Sequence, residues 1–301
     1  VTVKQVFIFG AGYSGKAFAR LCPEGVPVFG TTRSPQKFSG LEAAGIKPLV
    51  FAGAPAPEIS SALAGTTHLI VSVAPDEAGD PVLNAARTAI GQAMPALQWI
   101  GYLSTVGVYG DHGGGWVDET AACRPVSRRS MMRVEAERLW LALGRETSLP
   151  VAILRLSGIY GPGRNALVNL NQGTARRLVK AGQVFNRIHV ADIAGSLLHL
   201  ATHNRGGIFN VTDNEPAPPQ DVVTYAASLM GVEPPAEIAF EAADLTPMAR
   251  SFYGENKRVS NAVIKAAGYS FNFPDYRSAL DAMWSSGNWA EGEARSPMKR
   301  S

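Results

Sequence analysis

Cysteine is scarce in this chain: Cys22 and Cys123 are the only two among 301 residues. They stand far apart and without metal-ligand spacing, which excludes a disulfide framework or a cysteine-built metal centre as the organising element. Both read as free thiols in a reducing compartment, so the expected location is the cytoplasm. Long hydrophobic runs are absent too. None approaches the ~20 residues that a membrane helix needs, and the apolar run ending at Phe9 stops at Gly10, too short for a signal peptide. An excess of one charge is also missing. The net charge of +3 is too small to imply a nucleic acid or a membrane surface as partner. No internal repeat or low-complexity stretch interrupts the chain. A globular protein remains, large enough for one big domain or for a domain with a smaller lobe.

Three glycines organise that chain. Gly10, Gly12 and Gly15 fit G-x-G-x-x-G. Residues 3–9 before them are apolar, β-branched and aromatic, as in a strand buried on both faces. Residues 14–21 after them have helical spacing, with Phe18 and Leu21 on one side. Strand, glycine turn and helix in this order are the context that makes the motif a dinucleotide-binding fingerprint. Gly10 permits the tight turn, Gly12 lets a pyrophosphate approach the backbone, and Gly15 lets the helix pack close to the strand. The helix N-terminus offers unpaired N–H groups to that pyrophosphate, with Tyr13 and Ser14 as further contacts. A second strand is expected at residues 27–32. About 20 residues past the glycines, a binder of the unphosphorylated cofactor places a carboxylate for the ribose hydroxyls. Here Thr32, Arg33 and Ser34 stand instead. An arginine flanked by hydroxyls suits a 2′-phosphate, so NADP is the expected cofactor and NAD the alternative.

Further strands are expected at residues 47–52, 68–73, 98–103, 151–156 and 207–211. Helices are expected at 57–63, 80–94, 127–143, 166–180, from 192 to about 202, and at 219–230. This alternation argues for an α/β protein with a Rossmann-type, doubly wound parallel sheet. The expected organisation is a dinucleotide-binding domain over residues 1–160 and a smaller C-terminal substrate lobe over 161–290, some of whose elements return to the main sheet. Residues 291–301 form a polar tail. Ligands gather at the carboxyl ends of such strands. That directs attention to Ala74, Ser104, Thr105 and Ser157 beside the glycine turn.

These segments together resemble the extended short-chain dehydrogenase/reductase family, which includes nucleotide-sugar epimerases and dehydratases. The resemblance rests on five motifs in order. They are the glycine loop, the run from Leu103 through Ser104 and Thr105 to Tyr109, the run from Leu154 to Tyr160 with Gly-Pro-Gly after it, the run from Arg187 through His189 to Asp192, and the strand that holds Asn210. It implies NAD(P) binding, and an oxidoreductase or epimerase/dehydratase-like activity on a small polar or anionic substrate. It further implies an active site of Ser or Thr, Tyr and Lys, with the last two as Y-x-x-x-K on one helix. Thr105 matches the first position. Glu137 matches the family's glutamate four residues after its lysine, which puts Arg133 at the lysine position and Arg129 at the tyrosine position. Arg133 keeps the positive charge and can donate to a ribose hydroxyl. Arg129 stays protonated and cannot act as the general acid or base that accompanies hydride transfer. No tyrosine lies between Tyr109 and Tyr160. Tyr109 takes the role if its loop curls inward, although packing with a satisfied hydroxyl is the favoured reading for it and for Tyr160. The alternative function is therefore a non-catalytic NAD(P)-binding sensor or regulatory protein.

Other groups carry weaker signals. Ser104, Asp111 and His112 lack a nucleophile elbow. His189 and Asp192 lack a third metal ligand and are expected to fix a strand–helix junction; no metal is expected. Asp118 and Glu119 are expected to cap or tether a loop. Arg164, Arg176, Arg177 and Lys180 form a basic run that reads as a solvated helix face or as a clamp for an anionic substrate. Arg164 is the best placed of these, and Arg129 is a second substrate-binding candidate. A small-molecule substrate is the expected partner, and a homodimer is compatible with the sequence.

Overall fold

The computed structural model describes residues 2–54 and 56–290; the tail expected at 291–301 lies outside them. The first half alternates β1 (Val6–Phe9), α1 (Tyr13–Ala19), β2 (Val28–Thr32), α2 (Phe38–Glu42), β3 (Ile46–Val50), α3 (Pro57–Ala64), β4 (His68–Val71), α4 (Pro81–Gln92) and β5 (Trp99–Thr105). Then come β6 (Trp116–Val117), α5 (Arg128–Thr147), β7 (Val151–Leu156), β8 (Gly158–Tyr160), α6 (Ala166–Asn171), β9 (Arg177–Val179), β10 (Arg187–His189), α7 (Val190–Thr202) and β11 (Gly207–Val211). The chain closes with α8 (Pro219–Met230), β12 (Glu237–Ala239), α9 (Pro247–Phe252), β13 (Arg258–Val259), α10 (Ala262–Ala266) and α11 (Tyr276–Ser286). Among the described residues no helix is long and apolar enough to cross a membrane.

Seven parallel strands form the main sheet in the order β11-β7-β5-β4-β1-β2-β3. The inner strands β1, β4, β5 and β7 are buried on both faces, and alternate side chains feed two separate cores. In β1, Val6 and Ile8 join Phe18 of α1 and Ile193 and Leu197 of α7. Phe7 and Phe9 join Ile59 of α3, Leu83 of α4 and Trp140 of α5 on the other side. The strand order reverses between β1 and β4, and the carboxyl ends there open the crevice where doubly wound folds bind ligands.

The later part adds a third core, in which Leu167, Ala226, Tyr276 and Leu280 hold α6, α8 and α11 together. Three short strand pairs, β8 with β10, β9 with β12 and β6 with β13, lie outside the main sheet. The helix expected at 166–180 is a correction. It stops at Asn171, Gly173 turns the chain at φ +66°, and residues 177–179 become a strand paired with β12. The Asn169 carbonyl, which would continue a helix, instead accepts the N–H groups of Thr174 and Ala175. A partner some 60 residues away decides this segment, and no local periodicity carries that information.

Candidate functional site: the cleft at the carboxyl ends of β1, β4 and β5

The glycine turn is built from two strands. Gly10 sits at φ +79°, and an added Cβ would stand only 3.0–3.2 Å from Val73 and Ser72 at the end of β4. Its N–H donates to Thr31 Oγ1 (2.9 Å), and the Ala11 N–H donates to the Thr31 carbonyl (2.8 Å). Thr31 thus fixes the turn, a role that the sequence reading did not assign. An added Cβ on Gly15 would touch Ile8 of β1 at 3.3 Å, the close helix–strand approach expected of that position. Over Gly12 the space is open: the nearest atom to an added Cβ is the Gly10 carbonyl at 4.0 Å. No side chain caps the first turn of α1. Open volume over Gly12 beside uncapped N–H groups is what a pyrophosphate requires, so these residues fit a dinucleotide. Ser14 is buried at the start of α1 and Ala74 is exposed just past β4.

At the end of β2, Arg33 is exposed. The hydroxyls of Thr32 and Ser34 are used locally: Thr32 Oγ1 accepts the Ser34 N–H (3.3 Å), and Ser34 Oγ donates to Gln36. Arg33 is therefore the exposed cation of this corner, with the two hydroxyls shaping its turn.

Helix α5 is pinned across β5 at three successive residues. Arg133 Nη1 donates to the Tyr102 hydroxyl (3.1 Å) and to the Leu103 carbonyl (2.7 Å), while Ser104 Oγ donates to Glu137 Oε1. The half-buried Arg133 thus reaches the β5 end, as the lysine position requires. Ser104, expected beside the cofactor, is instead buried against α5, because Glu137 claims its hydroxyl. Thr105 is half-buried, and its Oγ1 accepts the Gly107 N–H (3.1 Å), which leaves its own proton to donate. Ser130 was not singled out from the sequence. Its Oγ accepts from Ser127 Oγ (2.9 Å) and lies, with Thr105 Oγ1, against the position a Gly107 side chain would take, at 2.9 and 3.4 Å. Arg129 is exposed on the same turn of α5.

Neither Tyr102 nor Tyr109 is open to solvent. Tyr109 is fully buried, donates to Asn210 Oδ1 (2.7 Å), and lies under the Arg155 guanidinium (4.8 Å to the ring centre). Burial pushes its hydroxyl above the usual phenol range. The packing reading thus replaces a catalytic Tyr109, since its loop curls into the core and away from the cleft. Tyr102 is fully buried as well. Tyr160 packs edge-on against His189 (5.4 Å), with its hydroxyl buried and, contrary to expectation, without a partner among the described residues. Ser157 Oγ is buried and unpartnered in the same way.

The β8–α6 loop comes back to the glycine turn. Tyr13 donates its hydroxyl to the Pro162 carbonyl (2.8 Å), and the Arg164 guanidinium stands over the Tyr13 ring (5.2 Å). Gly161, at φ +153°, allows this approach: an added Cβ would lie 2.6 Å from the Tyr13 hydroxyl and 2.8 Å from Val190. Arg164 is therefore the member of the basic run that reaches the cleft. The rest serve their own lobe, which corrects the clamp reading. Arg177 pairs with Glu237, Arg176 donates to the Asp244 carbonyl, and Lys180 donates to the Tyr253 carbonyl. His189 Nδ1 accepts the Ala191 N–H, and Asp192 accepts from the Tyr269 hydroxyl and the N–H groups of Asn272 and Phe273. Both fix junctions, as expected. Glu119 tethers its loop to β11 by accepting the Asn210 N–H (2.7 Å).

Just past β11, Asp213 is buried, and burial pushes its carboxyl up to about 8 against the pull of the Glu215 N–H and the Arg187 charge. The folded chain then holds a proton that the unfolded chain releases near pH ~4. Stability contributed here is complete below that pH and is lost as the pH climbs to about 8. Asp213→Asn is expected to leave the urea midpoint near pH 4 almost unchanged and to raise stability near pH 9 by about 1–3 kcal/mol. Urea titrations of both proteins at the two pH values check this.

A seven-strand parallel sheet with a glycine turn at its switch point defines a Rossmann-type dinucleotide-binding fold. The chain matches, over residues 78–212, the sequence model of the NAD dependent epimerase/dehydratase family. It is similar to Protein YeeZ of Escherichia coli (strain K12), at 29% identity over 77% of this chain and 86% of that protein. A functionally unknown conserved protein from Silicibacter pomeroyi DSS has a similar structure, with a TM-score of 0.88, 45% identity, and coverage of 95% of this chain and 100% of that one. So does a Methylobacillus flagellatus protein assigned provisionally as an NAD-dependent epimerase/dehydratase, with a TM-score of 0.71, 29% identity, and coverage of 95% and 99%.

Proposed function

We propose that the protein is an NAD(P)-dependent oxidoreductase or epimerase/dehydratase-like enzyme acting on a small polar or anionic substrate, nucleotide sugars included. The observation that carries this reading is the open, uncapped glycine turn facing the same strand ends as Thr105 and Arg133. Residues 10–15 hold the pyrophosphate, and Arg133 holds the nicotinamide ribose through the N–H groups that Tyr102 and Leu103 leave free. When bound, the cofactor supplies hydride exchange at nicotinamide C4. Thr105 donates its hydroxyl proton to the substrate oxygen and orients it. Arg129 and Arg164 attract an anionic substrate. Neither arginine exchanges a proton near neutral pH, so a water beside Thr105 and Ser130 takes up the proton that a tyrosine handles elsewhere in the family. The test is nicotinamide absorbance across sugar nucleotides, aldehydes and ketones. A substrate-dependent change that Thr105→Val removes is expected, and no change with any of them overturns the enzyme reading.

Arg129 supports a second reading, a cofactor-binding sensor without turnover. It requires a protein partner whose capture depends on the cofactor form, and capture unchanged by either form counts against it.

The cofactor preferred is the 2′-phosphorylated one. Arg33 is exposed and can hold two phosphate oxygens, in charge-assisted bonds of roughly 1.5–3 kcal/mol. Discrimination of about ten- to a hundredfold follows. Arg33→Ala is expected to lose most of it and to leave NAD affinity nearly unchanged; rising salt weakens the preference in the parent because the site is exposed. Calorimetric titration of both cofactors against both proteins decides, and equal parent affinities refute the assignment.

A further inference from the structure

Away from the cofactor cleft, Trp116 on β6 is 63% exposed while its neighbour Val117 is buried. A single exposed aromatic side chain needs no explanation. This one, however, stands between two clefts of about 400 and 440 Å³ that share it and Ser260 as lining. The larger cleft is also lined by Asp213, Asn214, Asn261 and Lys265. Its polar groups are held in place. Asn261 Nδ2 donates to the Thr212 carbonyl (2.9 Å) and to Asn214 Oδ1 (2.9 Å), and Lys265 Nζ donates to the same Oδ1 (3.3 Å). From below, the Ser260 carbonyl accepts from Asn210 Nδ2 (3.0 Å). Asp213 is 1% exposed, and one carboxyl oxygen accepts the Glu215 N–H while Oδ2 has no partner among the described residues.

An indole face beside fixed amide, hydroxyl and carboxyl groups complements a ring that is apolar on one face and bears hydroxyls around its rim. Other ligands fit worse. An apolar one would strand Asp213, Asn214 and Asn261 without water. A cation meets Lys265, and a multiply charged anion finds only that single ammonium among the lining side chains. We propose that the cleft between Trp116 and Asp213 is a second binding site, for a neutral polyhydroxylated ring such as a hexopyranose. The ring lies with its C–H face on the indole, and its hydroxyls bond to the polar floor. The site shares no lining residue with the glycine turn, β5 or α5, so it operates with the cofactor bound.

Saturation-transfer NMR on the full chain tests this, with glucose, galactose, N-acetylglucosamine and maltotriose as probes, each with and without saturating NADP. Saturable transfer to ring C–H protons is expected with at least one probe, unchanged by NADP. Trp116→Ala should weaken binding about tenfold or more, and Trp116→Phe should keep most of it, since a flat face is what the ring needs. Both variants should titrate cofactor like the parent. No transfer at tens of millimolar probe overturns the proposal, and so does transfer equal in Trp116→Ala or displaced by NADP.

Discussion

Gly12→Val is expected to abolish dinucleotide binding while the fold survives. The backbone at Gly12 has φ −85° and ψ −146°, outside the left-handed region but beyond the ordinary β region as well. An added Cβ there meets no protein atom closer than the Gly10 carbonyl, at 4.0 Å, so the fold should survive at a backbone cost of about 1–3 kcal/mol. The valine side chain fills the open volume where the pyrophosphate meets the turn. Gly10→Ala makes the contrasting control. Its positive φ and its 3.0–3.2 Å approach to Val73 and Ser72 predict a loss of stability together with a loss of binding. Calorimetric cofactor titration beside urea unfolding separates the two cases. Normal titration by Gly12→Val would refute the assignment of the glycine loop, and unfolding of that variant would refute the open space above it.

The contrast shows which parts of the site are legible along the chain. Gly10, Gly12 and Gly15 act within one turn, so their spacing alone carries their roles. Thr31 is 21 residues from the turn that it fixes, and its role exists only because β1 and β2 pair. Arg164 reaches Tyr13 through the β8–α6 loop, a contact no spacing encodes. The strand at residues 177–179 was read as helix because its pairing partner lies at residues 237–239. Ser104 and Thr105 are adjacent, yet β-strand alternation sends them to opposite faces, one to Glu137 and one to the cleft. Tyr109 shows the same limit. The sequence left its loop free to curl either way, and Asn210, on an edge strand 101 residues later, settles the direction.

Glu137→Ala is expected to cost about 3–5 kcal/mol of folding stability, the usual cost of leaving a buried charge unpaired. Glu137 and Arg155 are each 4% exposed, and Arg155 Nη2 lies 2.8 Å from Glu137 Oε2. The guanidinium also donates Nε to the carboxylate and Nη2 to Cys123 Sγ (3.3 Å), and it covers the Tyr109 ring. Without Glu137 its charge keeps only these weak neutral contacts, and Ser104 Oγ loses its acceptor. Helix α5 then loses the attachment one turn beyond Arg133, so Arg133, proposed above to hold the ribose, shifts as well. Cofactor affinity should therefore fall in Glu137→Ala although Glu137 touches no cofactor. Glu137→Gln preserves the shape and the acceptor for Ser104 and leaves only the charge unpaired, so its loss should be smaller. The double variant Glu137→Leu/Arg155→Met removes both charges at similar volume. It should recover most of the stability, because well-packed apolar pairs replace buried ion pairs at little cost. Urea unfolding of the four proteins compares these costs. A double variant no more stable than Glu137→Ala would show that packing around Arg155, and not its charge, holds α5 against β5 and β7.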